Sequence, residues 1–138
     1  MINVGIIGYG KMGKIRHAVI NNIENAQVTA VYDTAEINVE SKIVDSPDKI
    51  INNPDIDSIF IATPNYLNKD LTIQSLQQGK HVFCEKPPAF TSAELEKIRE
   101  VEKMSGKILM YGFNHRHHDS IKKIKDLIDN KEFGRVLW

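Results

Sequence analysis

Val4-Gly5-Ile6-Ile7-Gly8-Tyr9-Gly10-Lys11-Met12-Gly13 is the stretch that decides the fold. An apolar run over 3–8 reads as a strand. It passes through three glycines at Gly-x-Gly-x-x-Gly spacing into a segment where Met12, Ile15, Val19 and Ile23 recur on one helical face. Strand, glycine turn and helix in that order form a phosphate-binding cradle. Gly8 permits the tight turn, Gly10 leaves the backbone open to a pyrophosphate, and Gly13 lets the helix approach the sheet. The free N–H groups at the start of helix 11–23 then face the phosphates. The whole turn, namely Gly8, Tyr9, Gly10, Lys11, Met12 and Gly13, is a candidate cofactor-binding segment.

Two other glycine-turn chemistries compete. Gly8-x4-Gly13-Lys14 also begins a P-loop, but that motif next needs Ser or Thr to hold Mg²⁺, and Ile15 stands there, read as facing the core. An adenosyl site of the methyltransferase type uses a glycine turn and an acid as well, and it stays open. The acid is Asp33, 20 positions after Gly13 at the end of the second apolar run, where a carboxylate can accept hydrogen bonds from ribose hydroxyls. A 2′-phosphate about 4 Å from that carboxylate would meet roughly 4 kcal/mol of repulsion per unit charge at an effective dielectric of about 20. Thr34, Ala35 and Glu36 follow without an Arg to offset it, so NAD is expected over NADP.

Outward from this core the pattern repeats. Strands are expected at 3–8, 27–33, 42–44, 58–62, 81–84 and 108–112, several apolar at consecutive positions as in sheets buried on both faces. Helices are expected between them: a short one opened by Ser46-Pro47 as N-cap and first helical residue, one over 66–78 ending at Gly79, and one behind the capping box Thr91-x-x-Glu94. A last helix carries Ile121, Ile124, Leu127 and Ile128 on one face and stops near Gly134. The expected fold is α/β, a Rossmann-type doubly wound, mostly parallel sheet of six strands with helices on both faces.

Composition narrows the function classes. The 138 residues carry 18 basic and 18 acidic side chains, so no broad field for nucleic acid or an anionic membrane is expected. One cysteine, Cys84, makes neither an internal disulfide nor a Cys-rich zinc site and reads as a small core residue. No apolar run reaches about 18 residues, and the first 20 lack the apolar core of a signal peptide, so a cytoplasmic domain is expected. The charged stretch 94–103 reads as a solvated helix face. His115, His117 and His118 lie close in sequence, but no Cys is near and two of them are adjacent, so no metal site is expected.

Two strand ends carry unusual chemistry for buried strands: Ala62-Thr63-Pro64-Asn65 and Cys84-Glu85-Lys86-Pro87-Pro88. Two adjacent charges leaving a buried strand are costly unless a site uses them. With the glycine turn, Asp33, Gly79-Lys80-His81-Val82 and Gly112-Phe113-Asn114-His115-Arg116, they make the chain resemble the Gfo/Idh/MocA oxidoreductases over essentially its whole length.

The resemblance implies hydride transfer between a nicotinamide cofactor and a hydroxyl or ketone of a sugar, sugar nucleotide or cyclitol. It makes Lys86 the catalytic candidate, orienting substrate and relaying a proton. Glu85 would lie near the nicotinamide ribose, with Thr63, Pro64 and Asn65 lining the cofactor channel. Asn114, Arg116 and His117 become substrate-side candidates, and the Lys86–Pro87 bond a candidate cis peptide. The family is also expected to self-associate and to add an α+β substrate part.

Against that pattern, residues 1–118 read as the dinucleotide-binding domain and 119–138 as a crossover helix and first strand toward a substrate domain that is missing here. The chain alone is then expected to bind NAD but to be inactive. A stand-alone nucleotide-sensing or interaction module is the alternative. The segment 34–41 is too short for a normal crossover helix, which leaves one wall of the adenine pocket thin. Asn68 stands where the family often has His.

Overall fold

The computed structural model describes residues 1–135. Six parallel strands, β1 (Ile2–Ile7), β2 (Ala26–Tyr32), β3 (Lys42–Ile43), β4 (Ser58–Ile61), β5 (His81–Cys84) and β6 (Leu109–Tyr111), lie in the order β3-β2-β1-β4-β5-β6. This is the doubly wound order, whose direction reverses between β1 and β4. All six expected strands are present. The expected strand at the end of the chain has its last three residues outside the described ones.

Alternation across the pleat divides the apolar side chains between two layers. On one face Val4, Ile6, Val28 and Val31 pack with Ile20 of α1 (Lys11–Ile20). On the other, Ile7, Ile59, Ile61, Val82 and Cys84 pack with Ile50 and Ile51 of α2 (Asp48–Ile51) and with Leu71 and Leu76 of α3 (Asn65–Gln77). The fourth helix, α4 (Ser92–Ser105), buries Ile98 and brings Val101 against this second layer, while Glu96, Lys97, Arg99 and Glu100 face solvent.

Several expectations are corrected. Helix α1 stops at Ile20, not residue 23, and buries the stripe Gly13, His17 and Ile20. Ile15 and Val19, expected against the core, are 42% and 53% exposed. The cause is steric. A Cβ on Gly13 would lie 2.2 Å from the Gly8 carbonyl oxygen, so the bare edge of the helix must face the turn, and this rotation carries Ile15 and Val19 outward.

Ser46 does not cap α2. Pro47 holds that place, and the helix begins one residue later without a side-chain cap. At α4 the Thr91 hydroxyl accepts from the Glu94 N–H, as a capping box requires. The Glu94 carboxylate instead accepts from the Phe90 N–H and pairs with Lys69, leaving the box half closed.

The last helix, α5 (Asp119–Asp129), ends short of Gly134. Its principal contact is with the 3-10 turn before it (Asn114–His117), and Ile121, Ile124 and Ile128 lie exposed.

Residues 34–41 form no helix, as their length foretold. Ile37 and Val39 pack against the α1-side layer in its stead. The Ser41 hydroxyl donates to the Val28 carbonyl at 2.9 Å and fixes the end of the segment.

Gly13→Ala forces a methyl into the Gly8 carbonyl and is expected to destabilise the fold by about 1–3 kcal/mol. Gly10→Ala, whose Cβ meets nothing within 4 Å, should stay within about 0.5 kcal/mol of the parent. Urea unfolding of both variants measures the difference; equal effects would remove the steric account of the α1 rotation.

Candidate functional site

Open sheets of this order form a crevice beyond the carboxyl ends of the strands where the order reverses. A cleft of about 430 Å³ occupies that place, lined by Gly8, Gly10, Tyr32, Asp33, Thr34, Pro47, Thr63, Pro64, Tyr66 and Leu67 among others. Larger surface hollows exist, one of about 820 Å³ beside α1, but they lie away from the strand ends and are more open to solvent.

Gly8 turns the chain out of β1 at φ +91°, a conformation open to glycine, and a Cβ there would strike the Ala62 carbonyl at 2.5 Å. Helix α1 then starts with no side-chain cap on its first N–H groups. Space lies open above Gly10, so a phosphate can reach those donors.

Asp33 follows the last residue of β2. Its Oδ2 accepts the Tyr9 N–H at 2.5 Å and its Oδ1 accepts the Ala35 N–H at 2.8 Å. The carboxylate thus braces the glycine turn and cannot swing away, while each oxygen keeps a lone pair for a ligand hydroxyl.

Not every residue of the expected set faces the cleft. Tyr9, Lys11, Met12, Gly13, Asn65, Glu85 and Lys86 are not among its lining residues. The Tyr9 side chain turns inward, where its hydroxyl meets His17 Nδ1 at 2.7 Å. Asn65 is the exposed first residue of α3. Tyr32, Thr34, Pro47, Tyr66 and Leu67 join the cleft without any sequence signal, because lining follows from the folding of three separate loops.

The Glu-Lys-Pro turn lies beyond β5, one strand further along the same edge. Lys86 is exposed, and the Lys86–Pro87 bond is cis, as expected. Asn68 holds the turn from below. It is fully buried, its Nδ2 donates to the carbonyls of Glu85 (3.1 Å) and Pro87 (2.9 Å), and its Oδ1 accepts from the Thr63 hydroxyl (3.1 Å). One amide therefore ties the end of β4 to the end of β5.

Cys84 is fully buried, and desolvation pushes its thiol up to about 12, which makes it inert as a nucleophile. Asn114, Arg116 and His117 are exposed on the 3-10 turn past β6. Among the described residues, no group of three His, Cys, Asp or Glu could hold a metal ion. None of their helices is long and apolar enough to cross a membrane.

Residues 2–113, from the first strand past the Glu-Lys-Pro turn, match the family model described as an oxidoreductase family with an NAD-binding Rossmann fold. The chain belongs to the Gfo/Idh/MocA family. Among curated members it is 34% identical to glucose-6-phosphate 3-dehydrogenase of Bacillus subtilis, over 99% of this chain and 41% of that protein. Among solved structures it is similar to scyllo-inositol dehydrogenase from Lactobacillus casei with bound NAD(H) and scyllo-inositol (TM-score 0.85, 27% identity, 97% of this chain and 42% of that one). It is also similar to biliverdin reductase from Synechocystis in complex with biliverdin and NADP⁺ (TM-score 0.84, 28% identity, 91% and 42%). The chain thus spans about two-fifths of the length of these Gfo/Idh/MocA relatives. Bound NAD(H) in one and NADP⁺ in another leave the fold common to both cofactors.

Asn68→Ala removes one buried and two partly buried hydrogen bonds and is expected to cost about 1–3 kcal/mol in all, read by urea unfolding. Asn68→Gln, with the same groups on a longer stem, tests whether reach matters; a fully stable Ala variant would show that water replaces the amide.

Burial holds His17 below the ordinary imidazole value, against an upward pull from Glu40. A neutral ring stabilises the fold above about pH 6.5, and this contribution falls as pH drops and the unfolded chain takes up the proton first. Stability curves from pH 7.5 to 5 should be flatter for His17→Gln than for the parent. Parallel curves would mean that His17 titrates alike in both states.

Proposed function

We propose that the cleft binds a nicotinamide dinucleotide, NAD in preference to NADP. On this reading the chain serves hydride transfer to or from a hydroxyl or ketone of a sugar, sugar nucleotide or cyclitol. One observation carries it: Asp33 after β2, Gly8 and Gly10 after β1, Thr63 after β4 and Glu85-Lys86 after β5 stand along one edge in the order of a dinucleotide's own parts. Ribose carboxylate, phosphate cradle, channel and charged pair succeed one another at roughly 4.8 Å per strand.

Each residue then has a task. Asp33, fixed by two backbone donors, accepts from the adenosine ribose hydroxyls and repels a 2′-phosphate. The first turn of α1 binds the pyrophosphate over Gly10. Thr63 and Pro64 line the channel, and Glu85 lies toward the second ribose. A nicotinamide held there would supply or take up the hydride. Lys86, exposed past β5, stabilises alkoxide character on the reacting oxygen and relays the hydroxyl proton to solvent on oxidation, or from solvent on reduction. Asn114, Arg116 and His117, one strand further on, fall on the substrate side. Relatives whose names carry glucose-6-phosphate and scyllo-inositol support a small polar substrate.

Residues 1–118 are assigned to the dinucleotide-binding unit and 119–138 to the connection beyond it, a division the family match ending at residue 113 supports. The family relationship also supports a self-associating, cytoplasmic enzyme.

Calorimetric titration tests the cofactor assignment. The chain should bind NADH more tightly than NADPH. Asp33→Ala should weaken NADH about tenfold, the loss of one charge-assisted hydrogen-bond pair, and narrow the gap to NADPH. A parent chain that binds neither nucleotide sinks the proposal, and one that prefers NADPH sinks its NAD half.

A further inference from the structure

Arg16 lies in the second turn of α1, two turns of chain away from any strand end, yet its guanidinium reaches the Glu-Lys-Pro turn. Nε and Nη2 donate to Glu85 Oε1 at 2.9 and 2.6 Å, and Nη2 donates again to Asn114 Oδ1 at 3.2 Å. Its carbon lies 4.7 Å from the centre of the Phe83 ring on the sheet face below. The two charged side chains are only 17% and 11% exposed. Glu85 is confined on its far side as well, since a Cβ on Gly112 would lie 2.5 Å from Oε2. Elements from three places in the chain therefore close on one carboxylate.

The grip is one-sided. Both bonds that Arg16 donates to Glu85 go to Oε1, and no donor among the described residues bonds Oε2. Oε2 is not among the side-chain atoms sealed from solvent without a partner, so it stays accessible and free to accept from a ligand hydroxyl. We propose that Arg16 is a positioning residue. It holds Glu85 by Oε1 so that Oε2 is presented to a hydroxyl on the nicotinamide half of the dinucleotide. This rests on the cofactor assignment above. It adds a residue on α1 that sets affinity for one half of the cofactor only, because the adenosine half is bound by Asp33 and the glycine turn at the opposite end of the cleft.

That division supplies the test. ADP carries the adenosine half and both phosphates but lacks the nicotinamide and the ribose that bears it. Binding of NADH and of ADP is measured by calorimetry for the parent chain, Arg16→Met, Arg16→Lys, Glu85→Gln and the Arg16→Met/Glu85→Gln double variant. The expected result is an NADH affinity about tenfold lower in Arg16→Met. ADP affinity should change less than about twofold, Arg16→Lys should recover part of the loss, and Arg16→Met should add little to Glu85→Gln when combined. Equal loss of both ligands in Arg16→Met marks a structural role and overturns the proposal. Unchanged NADH affinity overturns it too. A parent chain that binds neither ligand overturns the cofactor assignment and this inference with it, whereas a parent that binds both, with Arg16→Met indifferent, overturns the inference alone.

Discussion

The contact between Gly13 and the carbonyl of Gly8 governs more of this molecule than any other. With no Cβ at residue 13, α1 lies almost on the turn that launches it, and that proximity aims the unpaired N–H groups of its first turn over the crevice. The same contact fixes the rotation of the helix about its axis. His17 and Ile20 are thereby turned to the core, and Arg16, one position back, is turned toward the end of β5. A single missing methyl group thus determines where the first turn of α1 lies and also which side chain reaches a carboxylate 69 residues away.

The strands were legible in the sequence because buried parallel strands are continuous apolar runs, and few other segments look like them. The glycine turn and Asp33 were legible because their chemistry demands particular residue types at fixed spacing. What sequence reasoning missed has a common cause. The apolar periodicity of Met12, Ile15, Val19 and Ile23 is real, but backbone contact at Gly13 overrides it, and periodicity holds no information about close approach. Arg16 and Asn68 act on partners 69 and 17 to 19 residues distant, so no local pattern marks them. Asn68 stood out only as a departure from the family pattern. Its role became visible once two strand ends were seen side by side.

Polar ties of this kind gather at one end of the crevice. Asn68 binds the backbone of the Glu-Lys-Pro turn from beneath, Arg16 binds its first side chain from the α1 side, and Gly112 leaves room for that side chain against β6. Each tie replaces water around a charged or polar group with a fixed partner, which is how a site keeps its geometry without a ligand in place. Lys86 emerges from the middle of this framework exposed and free of such partners among the described residues.

The absence of a helix between β2 and β3 gives the opposite end a different character. The chain from 34 to 41 is held to the body by Ile37, Val39 and the Ser41 hydroxyl, and β3 behind it has only two residues. Few buried contacts mean a low free energy of local opening. The crevice therefore has one stiff jaw and one compliant jaw. The compliant one borders Asp33 and Thr34, where cofactors of this fold differ in whether they carry an extra phosphate. Exchange of cofactor preference, by drift or by engineering, then has a short, weakly tethered loop to work on and leaves the reacting end untouched.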